Sequence, residues 1–321
     1  DCDTATASTS FTATTSFSAE DSSSRSSCSR HRLLDGNPEA IAWTLDVVVS
    51  GIVLVGSGAF LITALLKLAT DAAGCETERL PGESKIRECN NTVHGMKPSS
   101  LITVYATAIG LAAALIMPVV GAIVDKTPYR RGIGRLLAGL FCSLIFPTIF
   151  VSEDTWFAVS IVFAVSVFIG WFQAMVLYAY LPELSSDKAV VNKYTRTFSI
   201  ASFGSMLLYL VLIVGISAAL GYTSDTDTLD DEIATARLSQ SVSFVLAVIF
   251  FSIAWGWLFK PRQPPRPLQE GESILTSGFR QIYSTAVKVH RHYPALKWFF
   301  VAITLCDAAT VALLVFFVGH S

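Results

Sequence analysis

The sequence predicts an all-α integral membrane protein with seven transmembrane helices, and three observations carry that expectation. Of 321 residues, 52% are hydrophobic and 15% charged, and the mean hydropathy is +0.54. A soluble domain carries about 25% charged residues, so a soluble enzyme is excluded. The apolar residues fall into seven long blocks almost free of charge, each near or above the roughly 20 residues that cross about 30 Å of hydrocarbon. Those blocks are too uniformly apolar for β-barrel strands, which alternate over about ten residues.

The first 29 residues hold 16 Ser or Thr and almost no aliphatic side chain, so 1–41 reads as a disordered tail. Residues 47–66 form the first charge-free block, with Asp46 before it and Lys67 after. Blocks 98–124 and 136–152 follow; the latter is the shortest, and Pro147 within it predicts a kinked or tilted span. Blocks 155–182 and 197–224 each run 28 residues without a charge. Block 238–259 closes a six-helix region at 42–259, and 298–319 is interrupted only by Asp307. Between these last two lies the 260–297 connection, opening on Pro261-Arg262-Gln263-Pro264-Pro265-Arg266-Pro267. Its second part, with Phe279, Ile282, Tyr283, Ala286, Val287 and Val289 at helical spacing among basic residues, predicts an amphipathic helix on the membrane surface.

Orientation follows from Lys and Arg in the connections. With the N-terminal tail in the cytosol, 17 of the 23 cations are cytosolic and 5 lie opposite, Lys67 being at a helix end. That asymmetry argues against a seven-helix receptor, whose tail would be outside, and no Asp-Arg-Tyr-like triplet closes the third block. No paired His or carboxylates face one another in a span as a membrane enzyme would need, and neither cofactor nor metal is expected. The net charge of −2 gives no basic surplus for nucleic acid. The loop after the first block then faces the lumen or exterior. It carries Cys75 and Cys89, which pair in an oxidising compartment or merely coincide, and Asn90-Asn91-Thr92, an N-x-T acceptor that is either glycosylated or unused. Cys142 and Cys306 read as small apolar core residues.

Between the second and third blocks the chain reads Gly121-Ala122-Ile123-Val124-Asp125-Lys126-Thr127-Pro128-Tyr129-Arg130-Arg131-Gly132. Gly121 permits close helix approach, and Asp125 at a membrane edge can pair with a cation. This stretch resembles the signature of the major facilitator superfamily: Gly, three residues, Asp, a cation, one residue, Gly, then basic residues. Pro128 stands at the second Gly and the Arg pair comes late. Asp125-Lys126-Thr127 followed by Arg130 and Gly132 also resembles the sugar–cation symporter branch. Three further segments resemble the autophagy-related vacuolar effluxer family: Ala179-Tyr180-Leu181-Pro182-Glu183-Leu184, Gly278-Phe279-Arg280 through Lys297-Trp298-Phe299-Phe300, and Cys306-Asp307-Ala308-Ala309-Thr310.

The resemblance implies a two-bundle transporter of about twelve helices that exports amino acids from an acidic degradative compartment, in the membrane of the vacuole or lysosome, within autophagy-linked recycling. On that reading 42–259 is the N-terminal six-helix bundle of a major facilitator fold. The helix at 298–321 begins a second bundle, with substrate bound between bundles. Gly121, Asp125, Lys126, Arg130 and Arg131 form a conformational latch. Gln173 can hydrogen-bond another helix or a substrate. Tyr178 is a transport candidate or an interfacial anchor like Tyr180, and Tyr105 is a further candidate. Ser199, Ser202 and Ser205 at i, i+3, i+6 favour tight packing over substrate contact. Asp46 and Glu183 lie at membrane edges, open to solvent. Asp307, mid-span, has no bland role and reads as a proton-coupling group or an anchor for a substrate ammonium.

Overall fold

The computed structural model describes residues 37–75, 91–93, 95–185, 187–222, 229–261 and 273–320. Most of the Ser/Thr-rich tail, Cys89, Asn90 and the Pro-rich part of the 260–297 connection lie outside them. Helix α1 (Pro38–Ala72) starts where Asn37 caps it, its side chain accepting from the Glu39 N–H at 3.0 Å, with Pro38 in the first turn. Then come α2 (Pro98–Lys126), α3 (Arg130–Thr148), α4 (Trp156–Tyr180) and α5 (Lys188–Ala219), the last capped by Asp187 accepting from the Ala189 N–H at 2.9 Å. Helix α6 (Leu229–Leu258) completes the bundle, followed by α7 (Ile274–His292) and α8 (Pro294–His320).

Five of these are long and apolar enough to cross a membrane: α1, α2, α4, α5 and α6. The seven spans expected from the sequence are therefore not all met. Helix α3 is 19 residues long and carries Arg130, Arg131 and Arg135 in its first two turns. Over the described side chains, α8 counts as a shorter apolar helix, Pro294–Cys306. Pro147 sits in the last turn of α3. The first span is longer than its charge-free core: Asp46 and Lys67 are both inside α1.

Helix α1 packs against α5 and α6, α4 lies between α2 and α3, and α3 closes on α6. The outward faces carry aliphatic side chains where a water-facing helix would carry polar ones: Leu111, Leu115, Leu207, Leu208 and Val211 are all about two-thirds exposed. Such a surface suits hydrocarbon as its solvent. Two stretches wind as π-helix: Gly56–Leu61 in the middle of α1 and Ala254–Leu258 at the end of α6. At Gly56 there is no room for a side chain, because Ser239, Ser243 and Tyr209 close on it. The Tyr209 hydroxyl donates to the Ser239 carbonyl at 2.7 Å and lies 2.8 Å from the Ser243 hydroxyl, while the Ser239 hydroxyl reaches the Gly56 carbonyl at 3.3 Å. The last of these bonds adds a donor to a carbonyl of the π segment. At the end away from the Asp125 loop, Lys67 of α1 pairs with Glu232 of α6, and Cys75 is disulfide-bonded. Helix α7 lies against α2 through its buried Ser277 and Gly278, leaving Phe279, Ile282 and Tyr283 exposed.

Candidate functional site

At the end of the bundle bearing the 121–132 loop, charged and aromatic side chains converge. Arg130 opens α3 and is 4% exposed. Its guanidinium donates to Glu183 Oε1 at 2.8 Å and to the carbonyls of Ala179 and Val124 at 3.2 and 3.3 Å, and lies 3.9 Å from Asp125 Oδ1. One cation thus fastens α2, α3 and the end of α4. The planar fork of Arg serves several acceptors at once, which a Lys ammonium cannot do in this geometry. Helix α4 gives way to a 3₁₀ turn, Leu181–Glu183, where Pro182 forbids further α-helix, and this aims Glu183 back at Arg130.

The neighbouring arginines take the other flank. Arg131 donates to the Gly256 carbonyl at 2.6 Å, and Arg135 donates to the carbonyls of Gly256 and Trp255 at 3.2 and 3.4 Å. Both carbonyls belong to the π segment of α6, whose winding turns them away from a regular i→i+4 ladder; the Phe259 N–H instead reaches the Ala254 carbonyl, five residues back, at 2.9 Å. Tyr180 lies beneath, with the Arg130 guanidinium 5.4 Å from its ring centre and the Trp255 ring 5.9 Å away, edge-on.

Deeper in the bundle, Asp46 is fully buried. Its Oδ2 accepts from the Trp255 indole N–H at 2.6 Å and from Gln173 Nε2 at 3.1 Å, joining α1, α6 and α4. The expectation of a solvated Asp46 at a membrane edge is overturned, because α1 begins eight residues before it and the helices around it shut out solvent. The buried positions Glu39, Trp43, Asp46, Val49 and Val53 recur every three or four residues, so Asp46 falls on the apolar stripe of its helix. That periodicity was the available signal; the charge alone concealed it. Glu183 is likewise not free in solvent but held by Arg130. Trp255 had no sequence mark at all.

Of the other sequence candidates Gln173 joins this cluster, and the rest are scattered. Gln173 is 2% exposed and bonds a neighbouring helix. Tyr178 is 59% exposed, edge-on to Trp43 with centroids 5.7 Å apart. Tyr105 meets the Ser160 hydroxyl at 3.0 Å, and Ser205 donates across to the Val48 carbonyl of α1 at 3.4 Å, a packing contact. Asp125 also lines a groove of about 650 Å³ between α2, α7 and α8, with Met117, Pro118, His290, Lys297 and Phe300. Asp307 is in α8, but its side chain, like those of Asn90 and Cys89, lies outside the described residues.

No curated protein and no solved structure matches the sequence. A family model does: residues 36–319 match the family described as Vacuole effluxer Atg22 like. The match takes in the described helices as far as Gly319, the Asp125–Arg130–Glu183 clasp and the buried Asp46 cluster. The chain is therefore a multi-pass membrane protein of the major facilitator type and belongs to the Vacuole effluxer Atg22 like family of transporters.

Proposed function

We propose that the protein is a secondary transporter that moves amino acids from the vacuole or lysosome to the cytosol in autophagy-linked recycling. The observation that carries this reading is the Arg130 clasp: a buried cation held by two carboxylates and two carbonyls at one end of a helix bundle. Such a cluster has a made and a broken arrangement, which is what alternation between two states requires. The 17-to-5 division of cations supports a cytosolic side for the clasp and the N-terminal tail. Helices α3 and α8 complete seven spans, with α8 opening a second bundle. In α3 the clasp neutralises Arg130, and carbonyls of α6 satisfy Arg131 and Arg135, so these cations are compatible with that role. Glycosidase treatment should then increase mobility of the chain made in a eukaryotic host, and Asn90→Gln should abolish that change. Labelling of the Asn90 loop from the cytosol would reverse the topology.

Asp307 is the fourteenth residue of the 27-residue α8, so it falls at mid-membrane. An ionised Asp facing lipid at that depth costs about 2.5–3.5 kcal/mol, which favours a place in the solute path, toward a proton or a substrate ammonium. Efflux of radiolabelled amino acids from isolated vacuoles tests the reading. Asp307→Asn should abolish the pH dependence and most of the rate at unchanged vacuolar level. Proton-driven uptake of a disaccharide with no amino-acid flux would instead mark a sugar–cation symporter. An unaltered rate and pH profile would make Asp307 structural.

A further inference from the structure

We propose that Asp46 is a positioning residue of the transport cycle: by clamping the Trp255 indole it holds the end of α6 in the form that Arg131 and Arg135 grip. The inference rests on reading the Arg130 clasp as a latch.

Three sets of contacts converge on one residue. The side chain of Trp255 is fixed by the 2.6 Å bond from its N–H to Asp46. The ring fills the space above Gly134, on the helix turn that follows Arg130 and Arg131, so closely that a Cβ at Gly134 would overlap it. It also meets Tyr180, over which the Arg130 guanidinium sits. The backbone of the same residue and the next supplies the carbonyls that Arg135 and Arg131 grip. Thus the ring of Trp255 reaches Arg130 through Tyr180, and the carbonyls of Trp255 and Gly256 hold the other two arginines. Residues 254–258 are π-helical, a winding that needs support from its surroundings to persist. Asp46 supports it from inside, and Arg131 and Arg135 from outside.

Two other charged groups on the surrounding helices are turned elsewhere. Glu39, two turns before Asp46, accepts from the Lys260 N–H at 3.4 Å, and Arg196 of α5 is exposed. Asp46 therefore acts on the loop through the indole and not through a direct charge contact.

Hydrogen–deuterium exchange on the purified full chain in nanodiscs tests this, because the amides of Thr127 and Ile133 are protected by bonds to Ile123 and Tyr129. Asp46→Ala is expected to raise exchange over 127–135 by about tenfold, the scale of one lost hydrogen bond to a carboxylate, while 62–69 and 231–238 at the far end stay within about twofold. Trp255→Phe, which keeps a ring and deletes the N–H, should do the same. Asp46→Asn, whose amide oxygen still accepts from the indole, should restore protection. The double variant Asp46→Ala/Trp255→Phe should match the single ones, since both break one link. An equal rise at both ends, or none over 127–135, overturns the proposal. Where Asp46→Ala does not fold, Trp255→Phe decides. Glu183→Gln opens the clasp directly: no rise with that variant defeats the latch reading, whereas a rise there with none for Asp46→Ala and Trp255→Phe defeats only this inference.

Discussion

Replacing Arg130 with Ala is expected to lower the apparent Tm of the detergent-purified chain by roughly 5–10 °C, at about 2–4 °C per kcal/mol for a domain of this size. Breaking a fully buried ion pair costs about 3–5 kcal/mol, mostly because the abandoned charge stays buried. Here the partners reach some water: the Glu183 side chain is 24% exposed and that of Asp125 44%. The expected loss is therefore smaller, about 2–3 kcal/mol, and Glu183 accounts for most of it. The carbonyls of Ala179 and Val124 also lose a donor in that change. Arg130→Lys keeps the charge but not the fork, so it should recover part of the Tm and no more. Thermal melting followed by size exclusion reads both. A shift below about 2 °C for Arg130→Ala would mean that the clasp does not bind the helices together.

Gly134→Ala should be nearly as damaging, although it adds a single methyl group. The position is buried on α3, and a Cβ there would coincide with ring atoms of Trp255. An exposed or loosely held indole would swing aside. This one is 1% exposed and tied to Asp46, so the strain passes into the helix contact itself. Overpacking of this kind costs about 1–3 kcal/mol. Shrinking the obstacle should relieve it: Trp255→Leu in the Gly134→Ala background is expected to destabilise less than the sum of the two changes, because one vacates the space the other needs. Strict additivity of the two Tm shifts would show that Gly134 does not face Trp255 in solution.

Much of the protein follows from composition and spacing. Blocks of apolar residues can satisfy their backbone in hydrocarbon only as helices, so 98–124, 155–182 and 197–224 had no alternative to α2, α4 and α5. The helical spacing from Phe279 to Val289 marked α7 as well. The Asp125–Arg131 loop was visible because Gly, Asp and cations at that separation are local, and the contact of Asp125 with Arg130 spans only five positions. Long-range partners were another matter. That Arg130 rather than Lys126 enters the core depends on where α3 starts after Tyr129, and its best acceptor, Glu183, lies 53 residues away. Asp46 looked like the polar boundary of a span, because a carboxylate next to an apolar block is read as its edge. Only the packing of α4 and α6 around α1 shows it sealed from solvent, with Gln173 127 and Trp255 209 residues distant. The sequence by itself determined which segments are helices and which end is basic, since those depend on each segment's own solvation. Which polar groups are buried together was decided by tertiary structure alone, since a hydrogen bond in the membrane interior forms only between groups the helix packing brings within about 3 Å.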